Sequence, residues 1–215
     1  MSNTPITPNV TLVSDLLLIR HGQSEWNEQR RWQGQADPAL TDLGRAQAAQ
    51  AAHSIGNIDA IFTSPLQRAA ETATILARAL AVDSVIELTD LQERCAGEWE
   101  GLTREEIERD FPGALASGER PPGWEDNEPL VNRATQALIA IAMSIENLTA
   151  VVITHGGVMS ALEQAGGSLH RPFPNLGGLR VDVTPDRVPP VMPGERIELI
   201  GAELQTGGQG SGLRV

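Results

Sequence analysis

Aromatic side chains are scarce in this 215-residue chain: tyrosine is absent, and aromatics make up 3% against 40% hydrophobic residues overall. A core built under that constraint is aliphatic, drawn from Ala, Leu, Ile and Val. Cysteine is nearly missing as well. The lone Cys95 excludes an internal disulfide and fits a reducing compartment. Basic residues number 16 against 28 acidic ones, and no basic cluster interrupts the net charge of -12. That balance works against nucleic acid and anionic membrane as partners. No apolar run approaches the roughly 20 residues of a bilayer-spanning helix, and the polar, proline-bearing start does not resemble a secretory signal. The expectation is a cytoplasmic protein with one domain over residues 1–203 and a flexible glycine-rich tail over residues 204–215.

What is present is an alternation of strand-like and helix-like segments. Leu16 to Ile19 reads as a buried strand, Thr41 to Ser54 as an alanine-rich helix capped by Thr41, and Asp59 to Thr63 as a second strand. Ser64-Pro65 reads as cap and first helical position of a helix reaching Leu80. Val85 to Leu88 is a short third strand, and Thr103 with Glu106 forms a capping box for a helix ending near Asp110. Residues 111–130, rich in proline, glycine and acid, read as a loop or lid. Leu130 to Ile145 returns to helix, Ala150 to Thr154 is the clearest buried strand, and Gly157 to Ala165 is helical. Weaker strands lie near Leu179 to Val183 and Ile197 to Ile200. The alternation predicts an α/β fold, a three-layer α/β/α sandwich around a mostly parallel sheet.

The chemistry-bearing residues sit at matching places in that scheme. Arg20-His21-Gly22 follows the first strand, Arg68 lies in the first turn of the helix after the second, Glu93 follows the third, and His155 follows the fourth. Carboxyl ends of parallel strands open onto one crevice, so these residues can meet there. Two arginines, two histidines and a carboxylate make a basic pocket inside an acidic chain, which suits a compact anion. Phosphate fits best, because arginine forks bind its oxygens and phosphoryl transfer depends on charge neutralisation. A neutral imidazole can attack phosphorus, a carboxylate can serve as general acid and then base, and backbone amides near Gly22 and Gly156-Gly157 can add donors. This scheme calls for no metal and no cofactor.

Arg20-His21-Gly22-Gln23-Ser24-Glu25-Trp26-Asn27, Ser64-Pro65-Leu66-Gln67-Arg68-Ala69, Leu91-Gln92-Glu93-Arg94 and Thr154-His155-Gly156-Gly157 together resemble the motifs of the histidine phosphatase superfamily, the phosphoglycerate mutase-like family, in the family's order. The resemblance covers roughly residues 16 to 165. It implies His21 as nucleophile, Glu93 as proton donor, His155 as a catalytic group that also holds phosphate, and Arg20, Arg68 and Gly156 as phosphate-binding positions. Asn27 and Gln33 stand where the family adds phosphoryl contacts. A glutamine at 33 is more typical of the phosphatase branch, and the acidic lid, with Arg120 its only base, lacks the basic insertion of the mutases. Hydrolysis of a small-molecule phosphate ester through a phosphohistidine is therefore favoured. Mutase action and a non-catalytic phosphate-binding role are the alternatives, and the oligomeric state, a homodimer included, is open.

Several residues carry a plainer reading. His53 and His170 read as surface or packing residues, and Cys95 as core or wall. For Trp26, Trp32, Trp99 and Trp124 two readings carry equal weight, an apolar substrate wall and bulk for an aliphatic core.

Overall fold

Four consecutive aliphatic residues, Leu16 to Ile19, can be buried together only in a strand covered on both sides. The computed structural model, which describes residues 14–145 and 149–205, places them in β1 (Ser14–Arg20), inside a six-stranded sheet. The chain continues through α1 (Glu25–Glu28), α2 (Asp42–Ala51), β2 (Ala60–Thr63), α3 (Gln67–Leu80) and β3 (Val85–Glu87). After α4 (Arg104–Asp110), α5 (Ala114–Ser117) and α6 (Asn127–Ser144) come β4 (Ala150–Thr154), α7 (Gly156–Ala165), β5 (Gly177–Val183) and β6 (Val191–Glu198).

The strand order is β3-β2-β4-β1-β5-β6. Pairings among β1 to β4 are parallel, whereas β5 and β6 join antiparallel. Alternate residues of the strands serve opposite faces. Leu16, Leu18 and Val152 pack with Leu130, Leu138 and Met159 of α6 and α7, while Ile19, Val151 and Ile153 pack with Ala51, Ala69, Ala73 and Leu76 of α2 and α3. The result is the mostly parallel α/β/α sandwich that the alternation predicted. Small residues let the helices approach closely. Gly22 and Gly44 lie back to back, and a Cβ on Gly22 would come within 2.5 Å of the Gly44 carbonyl oxygen.

Three elements depart from the sequence reading. Helix α3 starts at Gln67, not at Pro65, and Asp37 Oδ1 accepts the Gln67 N–H at 2.6 Å, so a distant carboxylate supplies the cap expected of Ser64. Helix α6 starts at Asn127, three residues before the expected Leu130; Pro129 is tolerated there because a first turn makes no use of its missing N–H. The last strand covers Val191–Glu198 rather than 197–200; its Pro193 sits on an edge strand, where proline is admissible.

The expected lid is only partly loop. Leu115 of α5 packs with Trp99 and Ile107, and Trp124 joins that cluster. At the other end, Gln47 Nε2 donates to Leu204 O at 2.6 Å, so the chain is fastened at least to that residue. The tail from residue 206 lies outside the described residues. No helix among the described residues is long and apolar enough to cross a membrane.

Candidate active site

Strand register brings the two histidines together. Arg20 of β1 pairs with Thr154 of β4, so His21 and His155 leave adjacent parallel strands side by side, and the His21 N–H donates to Thr154 O at 3.1 Å. On the other flank of β4, Thr63 pairs with Ile153, which delivers Ser64 to His155: its Oγ lies 2.8 Å from His155 Nε2. The hydroxyl expected to cap a helix is thus occupied with the imidazole. The ring centroids of His21 and His155 are 5.2 Å apart.

The His21 ring is oriented by its own loop. Nδ1 lies 2.7 Å from Gly22 O, and a carbonyl can only accept, so Nδ1 carries the proton and Nε2 the lone pair. Thr72 Oγ1 accepts the Gly22 N–H at 3.1 Å, and Asn175 Nδ2 donates to His21 O at 3.0 Å, which fixes the loop from both ends. Burial, then the charges of Arg68 and Arg20, hold His21 well below the ordinary imidazole pKa, against a smaller opposing effect of the Gly22 hydrogen bond. His155 is held well below its ordinary value by burial first and then by Arg68, His21 and Arg20. Both rings are therefore neutral at neutral pH.

The two arginines are buried cations. Arg68 donates through Nη1 to Ala36 O at 2.7 Å and through Nη2 to Gly34 O at 2.9 Å, and Arg20 donates through Nη1 to Phe173 O at 2.5 Å. Burial lowers the Arg68 pKa to about 10, which leaves it charged at neutral pH. Arg20 Nε, Arg68 Nε and His155 Nδ1 have no hydrogen-bond partner among the described residues. Buried cationic groups left in that state make the pocket chemically suited to an oxyanion.

Glu93 faces this cluster from the loop after β3. Its Oε2 accepts the Gly157 N–H at 2.9 Å at the start of α7, and its Oε1 accepts the Arg94 N–H at 2.7 Å. Gly157 makes this approach possible, because a Cβ there would overlap the carboxylate.

Arg20, His21, Gln33, Arg68, Glu93 and Gly156 line a cavity of about 460 Å³. Among the predicted site residues, His155 and Asn27 are not on that wall: His155 is fully buried with its Nε2 against Ser64 Oγ, and Asn27 Oδ1 accepts from the Ser24 N–H and from Asn175 Nδ2, each at 3.2 Å. Gln33 is on the wall, its Oε1 taking the Ser24 hydroxyl at 2.7 Å.

The outer wall adds one residue read only as surface or packing to others already weighed as possible substrate contacts. His170, expected to be a surface or packing residue, lines the cavity, as do Arg94, Arg120, Trp32 and Trp124. The tryptophans divide by position: Trp99 is fully buried beneath the wall, and the Trp32 and Trp124 rings pack edgewise on it. Arg120 lies over the Trp124 ring at 5.0 Å and has no carboxylate within ion-pair distance among the described residues. Cys95 is half-buried and off the wall.

Fold and site together define a doubly wound protein with a cationic, two-histidine anion pocket at the carboxyl ends of its parallel strands. A family model of the histidine phosphatase superfamily (branch 1) matches residues 16–176, and the chain belongs to that family. It is similar to the bifunctional protein Rv2228c of Mycobacterium tuberculosis, 37% identical over 179 residues, which are 77% of this chain and 49% of that one. This chain thus spans about half the length of that relative. It is also similar to a metal-independent phosphoserine phosphatase of Arabidopsis thaliana, 34% identical over 160 residues, 70% of this chain and 67% of the other. Among solved structures, a mycobacterial glucosyl-3-phosphoglycerate phosphatase in complex with VO3 superposes with a TM-score of 0.75 at 28% identity, covering 84% of this chain and 96% of its own.

Proposed function

We propose that the chain is a cofactor-independent phosphatase of small phosphomonoesters, with residues 14–203 as one catalytic domain and the segment after α4 as its lid. The observation that carries this reading is the pairing of a neutral, Nδ1-protonated His21 with a Glu93 carboxylate held across the same cavity. His21 Nε2 forms a bond to phosphorus as the bond to the leaving oxygen breaks, and Glu93, entering this step as the carboxylic acid, passes its proton to that oxygen and becomes the carboxylate. Water then attacks the phosphohistidine, Glu93 takes its proton, and the N–P bond breaks to release inorganic phosphate. Arg20 and Arg68 neutralise the phosphoryl oxygens throughout, which is where phosphoryl transfer draws most of its acceleration, and the neutral His155 contributes a hydrogen bond rather than charge.

The outer wall supports a reading of the substrate class. The cavity is larger than a phosphoryl group requires, and Arg120 stands unneutralised beside Trp124 and Arg94. That arrangement suits a leaving group with a carboxylate, the chemistry shared by phosphoserine and glucosyl-3-phosphoglycerate, for which two similar proteins are named. Phosphate release from a panel of phosphomonoesters is the test, run beside interconversion of 2- and 3-phosphoglycerate. Release is expected with little interconversion. The reverse outcome makes the chain a mutase, and inactivity in both assays makes it a binding protein.

A further inference from the structure

Arg133, in the second turn of α6, is absent from the cavity wall, yet its guanidinium is fully engaged behind the loop that carries Glu93. Nη1 donates to Asp90 O at 2.8 Å and Gln92 O at 2.7 Å, and Nη2 donates to Glu93 O at 3.1 Å. Nε and Nη2 also grip both Glu125 carboxylate oxygens, at 2.8 Å and 2.9 Å. Five donors meet five acceptors, a fit that only the planar fork of arginine provides. Glu125 in turn accepts the Cys95 N–H at 3.2 Å and donates its own N–H to Cys95 O at 3.0 Å, while Arg94 Nη1 donates to Glu125 O at 2.5 Å.

Residues 90–95 have little regular structure of their own, only the end of a single 3-10 turn at Thr89–Leu91. What fixes the Glu93 peptide is therefore the contacts to the carboxylate, the Arg133 fork on the backbone, and a longer hydrogen bond from Gln35 Nε2 to Glu93 O at 3.2 Å. We propose that Arg133 is a positioning residue for Glu93, and that its ion pair with Glu125 makes the placement of the carboxylate depend on the segment carrying Trp124. The proposal rests on the reading of Glu93 as proton donor. It gives the lid a chemical consequence, since a substrate that moves the Trp124 segment also moves the group that protonates its leaving oxygen.

Leaving-group dependence separates this role from a merely structural one. Proton donation matters for an alkyl phosphate and hardly at all for 4-nitrophenyl phosphate, whose leaving group departs unaided. In the full chain, Arg133→Gln is expected to lower kcat for an alkyl phosphate on the order of 10- to 100-fold more than for 4-nitrophenyl phosphate. Inhibition by vanadate, which reports the phosphate pocket, is expected to stay within about twofold, and Arg133→Lys to recover little because a single ammonium cannot span five acceptors. Combined with Glu93→Gln, the Arg133 change should add no further loss. Equal slowing on both esters, vanadate inhibition weakened in step with kcat, or full additivity in the double variant would each overturn the proposal. Should Arg133→Gln not fold, Glu125→Gln loosens the same fork, and an unselective effect of that variant counts against the proposal equally. Glu93→Gln is read alone first: equal slowing of both esters there sinks the proton-donor reading, whereas a selective Glu93 effect without a selective Arg133 effect sinks only this inference.

Discussion

The imidazoles of His21 and His155 stand with ring centroids 5.2 Å apart and planes inclined by 58°, both buried and both held less basic first by that burial and then by the charges of Arg68 and Arg20, with His21 adding to the effect on His155. Two strand ends one register step apart create that pair, and a bound phosphoryl group would relieve the crowding of positive charge around it.

Acid sensitivity follows from this pair. Both histidines are held in the folded chain well below the ordinary imidazole pKa of about 6.5, with burial as the leading cause. The unfolded chain therefore binds protons that the folded chain refuses. Each histidine contributes stability that is fully present above about pH 6.5 and is lost as the pH falls from there toward the folded value. Urea midpoints should decline from about pH 8 to about pH 5, and His155→Asn should flatten the decline. Parallel curves for the two proteins would contradict the assignment.

Gly157 offers a steric probe of the Glu93 placement. A methyl group there would overlap Glu93 Oε1, whereas one on Gly56 meets nothing within 4 Å. Alanine itself suits a helical position, so Gly157→Ala should fold and yet lose kcat on alkyl phosphates by on the order of 10- to 100-fold. Gly56→Ala is the control, expected to match the parent. A fully active Gly157→Ala would show that the carboxylate has no need of its observed position.

Arg120 tests the substrate class. Its guanidinium over Trp124 has no carboxylate partner among the described residues, so its removal should weaken only substrates that bring one. Arg120→Ala is expected to raise KM about tenfold for carboxylate-bearing phosphomonoesters and to leave esters of neutral alcohols nearly unchanged. An equal change for both classes would remove Arg120 as a specificity residue.

Legibility of the molecule in its sequence followed the range of the interactions. The aliphatic runs of β1 and β4 are visible because burial on both faces leaves no polar alternation, and the residues just after them inherit their place from the strand. His21, Arg68, Glu93 and His155 converge for that reason. Ser64 looks like a helix cap because it is a hydroxyl before proline, but it accepts only the Leu66 N–H locally, at 3.3 Å, and its shorter contact is to His155, 91 positions away. Arg133 carried no signal at all, since a lone arginine on an amphipathic helix looks solvated and its acceptors are mostly carbonyls some 40 positions upstream. His170 and the division of the tryptophans depended on how residues 111–126 and the loop after α7 fold over the pocket. Neither segment has a period that reveals which way its side chains face.

The most direct test of the account is to trap the phosphoenzyme. With an activated aryl phosphate the first displacement is fast, so quenching in alkali and mapping the phosphoryl group by peptide mass should find it on His21, with none in His21→Ala. A phosphoryl group retained on His21→Ala, or found on His155 or Glu93 in the parent protein, would contradict His21 as the nucleophile.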